Sequence, residues 1–266
     1  MKQLLDTLWE DYLALTPDAK RLHEAFQAAG EDNIINDHIA LRTFNRGELA
    51  LDKFVEFFAK FDYVPMDEYH FEEKKLRAYH FAHKTDINLP KIFVSELLLE
   101  EMSENVQAIC NSLIEEADAH IQQNGLMLPS MPWRTISAEE YLSLRAESEY
   151  AAWLATFGLR ANHFTVSVNH LTTFKTLESV NDFIKSSNFE LNQSGGEIKG
   201  NEDVCLKQSS TMANTVEWEF ADRTMEIRSC FYEFAQRFNI PGTSELYQGF
   251  VAASADKIFE STDVAA

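Results

Sequence analysis

The feature that most constrains this chain of 266 residues is an internal repeat. Residues 37–44, DHIALRTF, alternate as a strand does and precede an amphipathic helical pattern over 51–61. Residues 162–169, NHFTVSVN, have the same form and precede a helical pattern over 177–189. The separation from His38 to Asp52 is 14 positions, as is that from His163 to Leu177. Because shorter extended segments follow each helix, the repeat predicts two βαβββ modules.

The remaining segments surround these modules with helices. The 45% hydrophobic content supplies a core for one domain over 1–266. We therefore predict an α+β fold in which both modules contribute to one cupped mixed sheet. Its parts are a helical cap over 1–36, a first module over 37–100, a helical connector over 101–159, a second module over 160–235 and a C-terminal tail over 236–266 that closes the site.

Alternation along the strands indicates which side chains share a face. His38 and Arg42 lie on one face of the first strand, and His163 lies on the matching face of its repeat. In the predicted last strand of the second module, RTMEIRSCF, Glu226 points to the face away from Met225, and Glu96 in KIFVSELLL is predicted to be its counterpart in the first module. The apolar faces are expected to pack under the helices, so the polar faces should line a common concavity.

Two imidazoles and one carboxylate can occupy one face of an octahedral metal ion and leave positions open for substrate and oxygen. This donor set suits Fe(II), with Mn(II) or Zn(II) as rivals. We predict that the ligands are His38, His163 and Glu226, because of their positions in the repeat. The alternatives left open are His170 in place of His163, and Glu217 or Glu219 in place of Glu226. Three further histidines are predicted to be solvated: His70, His80 and His83.

The net charge of the chain limits the kinds of molecule that it is expected to bind. Asp and Glu number 43 against 23 Lys and Arg, a formal charge of -20, which disfavours nucleic acid and anionic membranes. With no run of 18 apolar residues and no signal-like start, a cytoplasmic protein acting on a small molecule is expected. Arg42 lies roughly 13 Å along an extended strand from His38. It could therefore bind the far carboxylate of an extended substrate.

Four segments together resemble the 2-oxoadipate dioxygenase/decarboxylase family, which is related in fold to the vicinal-oxygen-chelate metalloenzymes. They are DHIALRT at 37–43, the strand that begins Asn162-His163, MEI at 225–227 and the tail FVAASADKIF at 250–259. The resemblance implies a cupped sheet of the vicinal-oxygen-chelate type and an Fe(II) enzyme. It further implies that 2-oxoadipate and O2 are converted to 2-hydroxyglutarate and CO2.

The same resemblance assigns roles to residues of this chain. Metal binding is carried onto His38, His163 and Glu226, and substrate binding onto Arg42, Ala253 and Ser254. The alternatives are a divalent-metal isomerase, lyase or hydrolase of the vicinal-oxygen-chelate type, or a metal-binding paralogue without catalysis.

Overall fold

A computed structural model describes residues 1–262 of the chain. Its α-helices are α1 Lys2–Leu15, α2 Pro17–Ala28, α3 Leu51–Ala59, α4 Glu104–Asn124, α5 Ala138–Glu147, α6 Glu149–Phe157, α7 Leu177–Ser186 and α8 Ala252–Phe259. Its strands are β1 Asn36–Phe44, β2 Tyr63–Phe71, β3 Leu76–His83, β4 Lys91–Leu97, β5 Ala161–Ser167, β6 Lys199–Asn201, β7 Leu206–Ser210, β8 Thr215–Glu219, β9 Thr224–Arg228 and β10 Phe231–Arg237.

Eight of the strands form one mixed sheet in the order β2-β3-β4-β1-β5-β10-β7-β6. The first module is β1-α3-β2-β3-β4, and the second is β5-α7-β6-β7-β10. The first strands of the two modules, β1 and β5, pair antiparallel at the centre of the sheet. Within each module the first and last strands pair parallel, β1 with β4 and β5 with β10. The predicted fold of two βαβββ modules in one cupped sheet is confirmed.

The predicted last strand of the second module was wrong. The segment around Glu226 is β9, which pairs with β8 in a separate two-stranded hairpin inserted between β7 and β10. The true last strand is β10, which begins at Phe231. Both TMEIR and FYEFAQR alternate as strands do, and alternation alone does not say which sheet a strand joins.

Strand register shows which residues of the two modules are structural counterparts. In the first module Ala40 lies opposite Phe93, and in the second Thr165 lies opposite Glu233. Since Ala40 and Thr165 each follow the repeat histidine by two residues, Phe93 is the structural counterpart of Glu233. Glu96, proposed as the counterpart of the acidic ligand, instead accepts a hydrogen bond from the backbone N–H of Leu51 at 2.8 Å, at the start of α3.

The helices cover the apolar face of the sheet and its ends. α3 and α7 begin at equivalent points of the two modules, and α7 is fixed there by a capping box on Thr176. The N-terminal cap is tied to the sheet where the Tyr12 hydroxyl donates to the carbonyl of Phe231 at 2.5 Å. Among residues 1–262, no helix has both the length and the apolar character that a membrane span needs.

Candidate metal centre

The two repeat histidines meet a carboxylate on the concave face of the sheet. His38, His163 and Glu233 each offer a ligand atom within 4.8 Å of the others, and all three side chains are buried. Nε2 of His163 lies 3.0 Å from Oε2 of Glu233, and Nε2 of His38 lies 3.6 Å from Oε1. The three residues lie on β1, β5 and β10, which are adjacent in the sheet. The structure therefore brings the two predicted histidines together, and the carboxylate beside them is Glu233 and not the predicted Glu226.

Each histidine is oriented by the residue that precedes it. Nδ1 of His38 lies 2.9 Å from Oδ1 of Asp37, and Nδ1 of His163 lies 3.0 Å from Oδ1 of Asn162. When Nδ1 carries the proton and donates it to these oxygens, each Nε2 keeps an unprotonated lone pair near Glu233, and the hydroxyl of Thr165 also lies 3.1 Å from Nε2 of His38. This is the tautomer that a metal-binding histidine needs, and such a partner fixes the plane of the ring. The Asx-His pair in both repeats thus has a geometric purpose.

Asp37 is held in turn by a buried arginine. Nε and Nη2 of Arg237 donate to the two oxygens of Asp37 at 2.6 and 2.8 Å. Burial alone would raise the pKa of Asp37, but Arg237 and His38 outweigh it and hold that pKa well below its ordinary value. Likewise, burial alone would lower the pKa of His38, yet Glu233 and Asp37 raise it. His38 therefore lies in a site that favours positive charge at Nε2.

Glu233 has the properties of a metal ligand. Burial alone would raise its pKa, but the two histidines lower it strongly, so the side chain is a carboxylate. Nε2 of Gln208 donates to Oε1 at 2.7 Å. Oε2 is buried and has no hydrogen-bond donor among residues 1–262, although Nε2 of His163 is close. A buried carboxylate oxygen without a donor, facing two imidazole nitrogens, fits a divalent cation, which would bind to Glu233, His38 and His163.

The walls beside these ligands are apolar. A cavity of about 20 Å³ adjoins the three ligands, and Phe93, Phe250, Ile258 and Phe259 are among the side chains that line it. The ring of Phe250 meets His38 edge-on at 4.7 Å between centroids, and Phe231 stacks on His163 at 4.6 Å. These rings make the wall beside the ligands apolar, and α8 in the C-terminal tail contributes to it.

Within this tail, the residues predicted to line the pocket lie elsewhere. Ala253 is exposed. Ser254 is buried against β6, where a Cβ atom on Gly200 would lie 3.2 Å from its hydroxyl oxygen. The helix faces the cavity with Ala255, Ile258 and Phe259 instead. Ala255, Ile258 and Phe259 therefore replace Ala253 and Ser254 as the residues of this helix that line the cavity, because the resemblance located the segment but not the residues that face the cavity.

The other ligand candidates lie away from the centre. Glu226 is exposed on β9 directly opposite Glu217, and Glu219 is exposed on β8. His170 is exposed after β5, where Nδ1 lies 2.8 Å from the hydroxyl of Ser167. Glu226 is corrected to Glu233. A clue was present in the sequence, because Glu233 is an acid within the otherwise apolar segment FYEFA, whereas the acids of β8 and β9 alternate with apolar residues, as in a half-exposed hairpin.

His80 was predicted to be solvated, and the structure buries it at 2% exposure. Its Nδ1 lies 2.9 Å from the hydroxyl of Tyr69, which also accepts the backbone N–H of Phe250 at 3.1 Å. Burial lowers the pKa of His80 to about 4. His80 is therefore neutral at physiological pH and supports the wall that carries Phe250.

Arg42 lies on the same strand and face as His38, as predicted, and is almost completely buried. Its guanidinium lies over the rings of Tyr150 and Trp153, at 4.8 and 4.9 Å. A cleft of about 200 Å³ adjoins it, and Phe259 lines both this cleft and the cavity at the metal ligands. The cleft at Arg42 and the cavity at the candidate metal ligands thus share the side chain of Phe259.

The orientation of His38 by Asp37 leads to a first prediction. Asp37→Asn keeps an oxygen acceptor but removes the charge, so we expect metal affinity to fall roughly 10- to 100-fold. Isothermal titration with a divalent metal would measure the change. The variant also weakens the pair with Arg237, so a thermal unfolding curve must establish that it is folded. Unchanged affinity in the folded variant would refute an orienting role for Asp37.

Two βαβββ modules paired in one sheet, with the candidate ligands on the first strand of each module and the last strand of the second, define the fold of the vicinal-oxygen-chelate class. A putative glyoxalase superfamily protein from Ralstonia eutropha shares this fold, with a TM-score of 0.74 over 93% of this chain and 84% of its own at 20% identity. The family model for 2-oxoadipate dioxygenase/decarboxylase matches residues 4–244. The chain belongs to the 2-oxoadipate dioxygenase/decarboxylase family.

Individual relatives agree with this assignment. The chain is 35% identical to the chloroplastic 2-oxoadipate dioxygenase/decarboxylase of Arabidopsis thaliana, over 94% of this chain and 74% of the relative. The crystal structure of the Oryza sativa hydroxyglutarate synthase in complex with 2-oxoadipate matches with a TM-score of 0.90 at 33% identity, covering 98% of this chain and 91% of that one. A putative hydrolase from Shewanella frigidimarina is 46% identical, with a TM-score of 0.84 over 95% and 98% of the two chains.

Proposed function

We propose that this protein is an Fe(II)-dependent dioxygenase and decarboxylase that converts 2-oxoadipate and O2 to 2-hydroxyglutarate and CO2. The observation that carries the proposal is the buried set of His38, His163 and Glu233 in a member of this family. The names of the relatives supply the reaction. We further propose that the protein acts in the cytoplasm.

The protein residues have separable tasks in this reaction. His38, His163 and Glu233 would hold the metal, and three protein ligands would leave it able to bind a 2-oxo acid and O2 as well. The bound metal would supply activation of O2 and polarisation of the 2-oxo acid. Asp37 and Asn162 hold the imidazole rings in place.

Charge balance at the metal ligands supports a substrate that carries a carboxylate beside its keto group. Asp37 and Arg237 neutralise each other, so a divalent ion on Glu233 and two neutral histidines would leave the centre with one net positive charge. The 2-oxo carboxylate would cancel it within the low-dielectric cavity. Arg42 would then bind the second carboxylate at the other end of an extended substrate.

Oxygen consumption tests the proposal directly. We expect Fe(II)-loaded protein to consume O2 when 2-oxoadipate is added, with one CO2 and one 2-hydroxyglutarate formed per O2. An oxygen electrode with product analysis by mass spectrometry would measure both. Protein that binds metal at the three ligands yet consumes no O2 with any 2-oxo acid would favour an isomerase, lyase or hydrolase of the same fold class.

A further inference from the structure

Arg42 already has an anionic partner inside the protein. Its Nη1 donates to the two carboxylate oxygens of Glu149 at 3.3 and 3.1 Å, and its Nη2 donates to the hydroxyl of Thr262 at 3.3 Å. Its Nε is buried and has no partner among residues 1–262. Glu149 lies 107 positions away in the sequence, at the first residue of α6. An arginine suited to a substrate carboxylate is therefore paired with a carboxylate of the chain itself.

The two members of this pair differ in their freedom to move. The side chain of Arg42 is 1% exposed and lies against Tyr150, Trp153 and Phe259, whereas that of Glu149 is 23% exposed. Glu149 lines the cleft of about 200 Å³, which is also bordered by two lysines and two further acids: Glu73, Lys74, Lys75 and Glu147. The carboxylate of Glu149 can thus turn into an open cleft where lysines can pair with it, while Arg42 is held by its neighbours.

A substrate carboxylate at Arg42 would meet the charge of Glu149. Two carboxylates beside one guanidinium in a poorly solvated site repel each other strongly. A neutral substrate terminus offers no charge to replace Glu149, and it would leave the ion pair intact. A substrate with a terminal carboxylate can replace Glu149, because the guanidinium can donate the same hydrogen bonds to either carboxylate.

Building on the proposed function, we propose that Glu149 is a displaceable counter-ion of Arg42 and a specificity-determining positioning residue. Glu149 pairs with the buried guanidinium of Arg42 before substrate binds. It turns into the cleft bordered by Lys74 and Lys75 when a terminal carboxylate of the substrate takes its place at Arg42. Only a 2-oxo acid with a second carboxylate gains that contact. Glu149 thereby sets the affinity for dicarboxylates at a value below the one that Arg42 alone would give.

Glu149→Gln tests this inference, because it removes the competing charge and keeps the size of the side chain. We expect KM for 2-oxoadipate to fall about tenfold with little change in kcat. KM for 2-oxohexanoate, which has the same chain length and no second carboxylate, should not change. Glu149→Asp retains the charge and should behave like the wild type. Glu147→Gln is the matched control, since Glu147 lines the same cleft without contacting Arg42.

Calorimetric titration of Fe(II)-loaded protein without O2 separates the possible failures. Tighter binding of 2-oxoadipate to Glu149→Gln, but not to Glu147→Gln, supports the inference. Equal or weaker binding to Glu149→Gln, with normal binding to the wild type, overturns it and leaves the proposed function intact. If the wild type itself binds metal but no 2-oxo dicarboxylate, both the inference and the proposed function are refuted. Thermal unfolding of each variant verifies that it is folded.

Discussion

Glu233→Gln is expected to abolish metal-dependent activity, and Glu226→Gln is expected to leave it unchanged. Glu233 provides the carboxylate between the two repeat histidines, whereas Glu226 is exposed on the inserted hairpin. The amide that replaces Glu233 carries no charge and is a poor ligand for a hard divalent cation. If the metal contributes about 4 kcal/mol to catalysis, its loss lowers kcat/KM roughly 10³-fold.

A readout that does not depend on turnover is available for this pair of variants. Ligands that bind the folded state raise the unfolding temperature. Metal at a free concentration of 100 times its dissociation constant adds about 2.7 kcal/mol to the free energy of unfolding. We expect this metal-dependent rise in the wild type and in Glu226→Gln, and its absence in Glu233→Gln. Retention of metal by Glu233→Gln, or its loss in Glu226→Gln, would show that the wrong carboxylate had been chosen.

The residues of the candidate centre that the sequence placed together as the structure does are those that the repeat determines. His38 and His163 have equivalent positions in strands whose alternation and distance to the next helix agree, so they were selected from eight histidines without structural information. The antiparallel pairing of β1 and β5 then brings them together, with His163 opposite Ala40 and His38 opposite Thr165. Strand alternation and the repeat were sufficient to select these two histidines, because both features agree at each of them.

The carboxylate was missed because the repeat is interrupted. The β8–β9 hairpin lies between β7 and β10, and the first module has no hairpin at the corresponding position. The sequence match between Glu96 and Glu226 therefore compared strands that are not equivalent. Glu96 in fact corresponds to Gln236, since each accepts the backbone N–H of the first residue in the helix of its own module, Leu51 or Leu177. Only strand register reveals this equivalence.

The partner of Arg42 could not have been predicted from sequence either. Glu149 is at the start of a helix in the connector between the modules, and its acidic side chain there agrees equally well with a simple interaction with the helix dipole. Its contact with β1 depends on how α6 packs against the sheet. Arg42 itself was identifiable, because an arginine on the same strand face as a ligand histidine is unusual in a chain of net charge -20.

Arg42→Met is expected to reduce kcat/KM for 2-oxoadipate by roughly 30- to 1000-fold. Removing one member of a buried, hydrogen-bonded charge pair costs about 2–4 kcal/mol in binding, and each 1.4 kcal/mol is a factor of ten. Since the far carboxylate is remote from the reacting carbons, most of the loss should be in KM, with kcat less affected. Steady-state oxygen consumption at varied 2-oxoadipate would measure both constants.

Two comparisons separate the loss of a substrate contact from damage to the fold. With 2-oxohexanoate, Arg42→Met and the wild type should have similar kcat/KM, because neither gains a contact with a second carboxylate. Arg42→Met also leaves Glu149 without its partner, so the double variant Arg42→Met/Glu149→Gln should recover thermal stability but not the affinity for 2-oxoadipate. An equal loss of activity toward both 2-oxo acids would mean that Arg42 supports the structure of the site and does not recognise the substrate.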